Sequence, residues 1–140
     1  MTQHQRGRLT IDALKQMVAD EQIETVLTVF PDMYGRLVGK RIMGEYFVHD
    51  ALEHGVHACD YLLACDMEME PVPGYEFTSW ASGYGDFRMV PDLNTLRMAS
   101  WLDKTAIVLC DILSEEEDVP VSVAPRNILR KQVGIANGMG

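Results

Sequence analysis

Little in this chain serves for cross-linking, for crossing a bilayer or for cradling phosphate. Its cysteines number three, Cys59, Cys65 and Cys110, an odd count without CxxC spacing. That pattern argues against a disulfide framework and suits a reducing compartment. No apolar run approaches the roughly 18 residues of a membrane helix. The opening MTQHQRGRLT lacks the apolar centre of a signal peptide, so the expectation is a cytoplasmic protein without a membrane partner. Neither GxGxxG nor GxxxxGK(S/T) occurs, so the chain offers no nucleotide cradle of its own. Positive charge is scarce too: 12 Lys and Arg stand against 21 Asp and Glu, for a net charge of −9. Such a field repels phosphate backbones and argues against nucleic acid as a partner.

What is present suits one well-packed soluble domain: 140 residues, 47% apolar and 24% charged, with room for a short appendage. Acidic clusters at Asp66–Glu70 and Glu115–Asp118 read as solvated loop charge. Thr10 offers an N-cap, and Ile11, Leu14, Met17 and Val18 follow at helical spacing, with Asp12 in the first turn. ETVLTVF (24–30) and RLVGKRIM (36–43) are β-prone runs around the turn PDMYG (31–35), which predicts a hairpin. Gly35 is expected to supply a left-handed turn angle, and Gly39 a bulge or a close backbone contact.

GEYFVHDALEHG (44–55) has helical spacing and closes on Gly55, and Val56–Leu63 reads as another strand. From Asp66 to Asp86 the chain is rich in glycine, proline and aromatics and has no period, which marks a functional or mobile segment. FRMVPDLNTLRM (87–98) holds a short strand and a turn at Pro91-Asp92. AIVLCDIL (106–113) is an unbroken apolar strand with Cys110 in the core. SEEEDVPVSVA (114–124) reads as a linker, and PRNILRKQVGIANGMG starts a helix with Pro125 in its first turn. The fold class expected is α+β: a mixed sheet with a helix across one face, as in a ubiquitin-like β-grasp.

Four segments, in order, resemble the amino-terminal region of glutamine synthetases and their γ-glutamyl-amide ligase relatives. They are Phe30-Pro31-Asp32-x-x-Gly35-Arg36-x-x-Gly39-Lys40; Gly83-Tyr84-Gly85-Asp86 leading to Pro91-Asp92-Leu93-Asn94-Thr95-Leu96-Arg97; Thr105-Ala106-Ile107-Val108-Leu109-Cys110-Asp111 after Trp101; and Pro125-Arg126-x-x-Leu129-Arg130. Together they cover about positions 24 to 133. The match is nearer to the glutamine-synthetase-like amine ligases than to the ammonia-using enzymes.

The resemblance implies an N-terminal arm and helix over 1–23, a β-grasp domain over 24–118, and a linker with the start of a truncated catalytic domain over 119–140. It implies an ATP-dependent ligase that joins glutamate to ammonia or an organic amine, with Mg2+ or Mn2+, in a homo-oligomeric ring. ATP and metals would be bound in the catalytic domain, and this chain by itself is expected to be inactive. The β-grasp domain would lend a loop to the neighbouring subunit's active site. A different class of function also fits the residues: a freestanding β-grasp module that binds or regulates a partner. The final helix, whose apolar stripe lacks an obvious partner, favours the enzyme fragment.

By the same resemblance Asp60 matches the aspartate that helps bind ammonium and remove its proton; its structural alternative is a strand-end aspartate with a local hydrogen bond. The motif departs immediately afterwards, where Tyr61, Leu62 and Leu63 replace small polar residues. Bulkier, greasier groups shift the expectation from ammonia to an organic amine. Asp86 belongs to the same inter-subunit loop or caps the turn before Phe87. Trp80 and Tyr84 line a pocket mouth or an interface. Arg36, Lys40 and Arg41 form a basic strand edge, open to a phosphate or serving to keep sheets apart. His54, His57 and Cys59, with His49, match no zinc spacing, and no metal ligand is expected.

Overall fold

The computed structural model describes residues 7–79 and 81–140. The chain divides into two compact units. One comprises Met1–Val29, Gly39–Val56 and Val90–Cys110; the other comprises Phe30–Val38, His57–Met89 and Asp111–Gly140. Among the described residues the strands are β1 (Thr25–Pro31), β2 (Leu37–Met43), β3 (Val56–Cys59), β4 (Asp86–Pro91), β5 (Arg97–Met98) and β6 (Thr105–Ser114). They form a six-stranded mixed sheet in the order β2-β1-β6-β4-β3, with β5 on β6. With its helices this is an α+β fold.

In the first unit, β1 and β6 pair in parallel from Thr25↔Thr105 to Val29↔Leu109. Residues Thr105–Val108 are all buried, the pattern of a strand covered on both faces. Thr10 caps the helix Ile11–Ala19 as its spacing predicts, accepting from Ala13 N–H at 3.1 Å. Leu14 and Val18 put that helix's apolar stripe in the core. The predicted central helix, 44–54, is present with one irregularity. Phe47–Ala51 takes a π-helical turn between two short α-helical pieces. Phe47 and Ala51 are fully buried there, and burial of a side chain the size of Phe47 contributes roughly 1.5–3 kcal/mol. Gly55 then ends the helix at φ 76°.

Gly39 makes the close contact expected of it. A Cβ there would stand 2.0 Å from Thr28 O and 2.9 Å from Val29 Cα. Beside it the buried Thr28 hydroxyl donates to Lys40 O at 3.1 Å.

In the second unit, Phe30 and Phe87 meet edge to face, 5.3 Å between centroids and 87° between planes. The hairpin turn is organised by Asp32, only 3% exposed. Its Oδ1 accepts from Tyr34 N–H and Arg36 N–H, both at 2.9 Å. Its Oδ2 takes the Arg36 guanidinium at 2.7 Å. The rest of that guanidinium donates to Asp66 O at 2.7 Å and Met67 O at 2.8 Å. Arg36 is thus no free edge charge: the turn spends it on fastening the next loop, because a buried carboxylate needs a paired cation.

The strand expected over Val56–Leu63 stops at Cys59. Asp60–Leu63 instead winds into a single 3-10 turn, and Leu63 alone of its residues is buried. The segment from Asp66 to Gly85 carries no helix or strand of more than one residue among the described residues.

The C-terminal helix, Pro125–Gly138, starts at the predicted proline. Arg126 and Arg130 clasp Asp111 at 2.9 and 2.7 Å. Asn127 donates to Ile112 O and Val121 O. Its apolar positions Leu129, Val133 and Ile135 stay exposed.

These contacts can be checked by stability measurements. Gly39→Ala should cost at least about 2 kcal/mol, since the added methyl meets immovable backbone, whereas Gly35→Ala, at φ 79° with nothing within 4 Å, should cost only about 1 kcal/mol. Urea denaturation of both variants checks the order, and equal losses would refute the steric account. Asp32→Ala should cost about 2–4 kcal/mol and speed thermolysin cleavage between 66 and 79, the loop that Arg36 holds. Unchanged cleavage would show that the clasp does not order the loop.

Candidate functional site

The candidate site lies wholly in the second unit, where the chain leaves β3. The 3-10 turn lifts Asp60 out of the strand, so its side chain is half-buried instead of following the strand's alternation. Asp60 and Gly85, 25 positions apart, are bonded twice. Asp60 N–H donates to Gly85 O at 2.9 Å, and Gly85 N–H donates to Asp60 Oδ2 at 3.1 Å. The Thr78 hydroxyl donates to Asp60 Oδ1 at 2.5 Å, the short end of the range for a hydroxyl on a carboxylate. Thr78 is 2% exposed.

Among the described residues each carboxylate oxygen therefore holds one internal donor. An ionised carboxylate offers about four acceptor positions, so capacity remains for an external cation. The site is a fixed, half-buried anion. Next to it the Tyr61 ring meets the Tyr84 ring edge to face at 5.8 Å, and Leu62 is half-buried. Tyr84 also lines a cavity of about 270 Å³ whose walls include Pro71, Val72, Pro73 and Ala81. Asp60 is not among the residues that line this cavity; the aromatic side chains at the adjoining positions 61 and 84 suit a cation that carries a hydrocarbon part.

The Cys65 Sγ–H donates to Tyr61 O at 3.2 Å. Burial first, and then the neighbouring Asp66 carboxylate, push the Cys65 thiol up. It behaves as a packing residue and not as a nucleophile.

Of the other residues singled out from sequence, Asp86 is exposed. It lines a separate cavity of about 250 Å³ with Gly85, Ser114 and Glu115–Glu117. Trp80 lies outside the described residues. His49 pairs with Glu45 at 3.2 Å and His54 with Asp50 at 3.5 Å along the central helix. Among the described residues no three His, Cys, Asp or Glu side chains gather as a metal site. The sequence pattern does not point to Thr78 or to the Gly85 amide. The one signal available is the Gly83-Tyr84-Gly85 run before β4, where a backbone must come close to something.

No family model matches the chain. It is 46% identical over 132 residues to the γ-glutamylethanolamide synthetase GlnA4 of Streptomyces coelicolor, covering 94% of this chain and 28% of that enzyme. It is 36% identical over 127 residues to a glutamate–isopropylamine ligase of a Pseudomonas species, covering 91% of this chain and 28% of that one. Among solved structures, GmaS in complex with ADP superposes with a TM-score of 0.67 at 21% identity, over 90% of this chain and 26% of that one. A glutamine synthase homologue gives a TM-score of 0.69 at 17% identity, over 84% and 28%. These two show the fold. The chain spans little more than a quarter of the length of the curated relatives it matches. Over that span it is homologous to the glutamine-synthetase-like γ-glutamylamine ligases.

Proposed function

We propose that this chain is the N-terminal domain of a ligase that uses ATP to join the γ-carboxyl of glutamate to an organic amine. The observation that carries the reading is the 46% identity to a γ-glutamylethanolamide synthetase across 94% of the chain. The sheet supports a β-grasp assignment for 24–118: parallel β1 and β6 stand beside one another, β2 and β4 flank them, and the 44–54 helix connects β2 to β3. Residues 1–23 form the arm and first helix, and 119–140 lead into the catalytic domain.

The reading makes Asp60 the amine-binding residue. A primary amine reaches the site protonated, and its ammonium pairs with the remaining acceptor positions on the carboxylate. Asp60 then accepts one proton, releasing the nitrogen lone pair for attack on the γ-carbonyl. ATP supplies the activation of that carbonyl. On this reading the nucleotide and the Mg2+ or Mn2+ are held by the remainder of the enzyme.

Tyr61, Leu62, Tyr84 and the apolar cavity favour an amine with a hydrocarbon part over ammonia. In the assembled cytoplasmic ring the Asp60 loop would serve the neighbouring subunit's site, and Asp86 and Trp80 would contribute to substrate binding. The exposed apolar face of the C-terminal helix supports the presence of a further domain.

In the full-length enzyme, Asp60→Asn should lower kcat/KM for the amine by about 100-fold or more, while KM for ATP and glutamate stays within about twofold. Unchanged amine turnover would remove Asp60 from the mechanism. In a panel from ammonia to small primary alkylamines, kcat/KM should be highest for an amine bearing carbon; preference for ammonia would overturn the organic-amine assignment.

A further inference from the structure

We propose that Thr78 is a positioning residue: it fixes the Asp60 carboxylate and thereby sets the enzyme's hold on its amine. The inference rests on the amine-binding role of Asp60 and adds a residue that neither sequence pattern nor homology pointed to.

The geometry is unusual for a loop threonine. Tyr75, Glu76 and Phe77 are exposed, yet Thr78 is 2% exposed. A segment that leaves its large apolar groups in solvent has buried a hydroxyl instead. A buried hydroxyl must give its proton to something, and its one donor is aimed at Asp60 Oδ1, 2.5 Å away. Because an ionised carboxylate can only accept, the direction of that bond is settled when Asp60 is charged.

The second oxygen is held independently. Gly85 N–H reaches Oδ2 at 3.1 Å. One donor on each oxygen fixes the carboxylate plane as well as its position. With only the Gly85 amide, the group could still swing about that single bond. Thr78 removes the swing, and its branched Cβ limits its own rotation.

The remaining acceptor positions then present one geometry to an incoming ammonium, and no ordering of the carboxylate is needed when the amine binds. Glutamate and ATP do not touch this carboxylate under the reading, so their binding should be indifferent to Thr78. That separation makes the role measurable and sets it apart from a contribution to folding. Loss of fold lowers the amount of active enzyme and leaves every KM alone.

The test uses the full-length ligase, with each substrate varied in turn, for Thr78→Val, Thr78→Ser and Asp60→Asn. Thr78→Val keeps the shape and removes the donor. It should raise the amine KM about tenfold, the scale of a hydrogen bond to a charged group, with KM for ATP and glutamate within about twofold. Thr78→Ser returns the hydroxyl and should bring the amine KM back to within about threefold of the parent. Should the Val variant fail to accumulate as folded enzyme, Thr78→Ala is measured in its place against the same expectation.

An unchanged amine KM overturns the proposal, as does a fall in kcat with all three KM values unchanged and a lower melting temperature. An equal loss in the Ser variant does so too, because the hydroxyl is then not what matters. If Asp60→Asn impairs amine use and Thr78→Val does not, only the role of Thr78 falls. If Asp60→Asn changes nothing, the role of Asp60 falls first.

Discussion

The pair of hydrogen bonds between Asp60 and Gly85 closes a loop that has little regular secondary structure to hold its shape. Between them lies a stretch without regular ladder bonding, rich in proline, glycine and exposed aromatic rings. Ordering such a chain costs conformational entropy at every residue. Among its described residues the buried apolar side chains that offset it are Leu63, Ala64 and Cys65, all at its start. The closure joins backbone to backbone and backbone to side chain at one point, so the residue that ties the loop is also the one proposed to bind the amine. A site built this way gains order for the carboxylate from the same contacts that order the loop.

The loop has a second fastening, through Arg36. Asp32 is buried and charged, and its guanidinium partner passes the constraint on to the carbonyls of Asp66 and Met67. Hairpin and loop are therefore coupled within one unit. Val72 N–H on Ala64 O at 2.8 Å adds a third tie. The arrangement gives physical meaning to the Asp32, Gly35 and Arg36 pattern. Aspartate shapes the turn, glycine supplies its left-handed angle at φ 79°, and arginine reaches across to the 66–67 backbone. None of the three needs a ligand to explain it.

Much of the fold is legible in the sequence because the local signals agree. Thr10 as a cap, the hairpin around PDMYG, the helix closed by Gly55, the β6 strand and the proline-started last helix all stand where spacing places them. The strand expected over Val56–Leu63 is too long for an identifiable reason. Tyr61, Leu62 and Leu63 carry its apolar character on past Asp60, and nothing in that pattern distinguishes a strand from a turn whose end residue is buried. The two-residue β5 is too short to have a period at all. Part of the candidate site is legible as well, since resemblance points to Asp60. Thr78 is not, because its partner is 18 positions away and an aperiodic loop gives no rule for which hydroxyl turns inward.

By itself the sequence determined the local elements and the chemistry on offer, since caps, turn glycines and apolar periods act over a few neighbouring residues. It also carried the kinship to amine ligases, through motifs that keep their order along the chain. Only the tertiary structure decided which oxygen of Asp60 meets which donor, that Arg36 is committed to the 66–67 carbonyls, and that Gly39 lies against the Thr28 carbonyl. Those facts depend on distances between residues far apart in sequence, which a hydrogen bond resolves to tenths of an ångström and a residue pattern does not record.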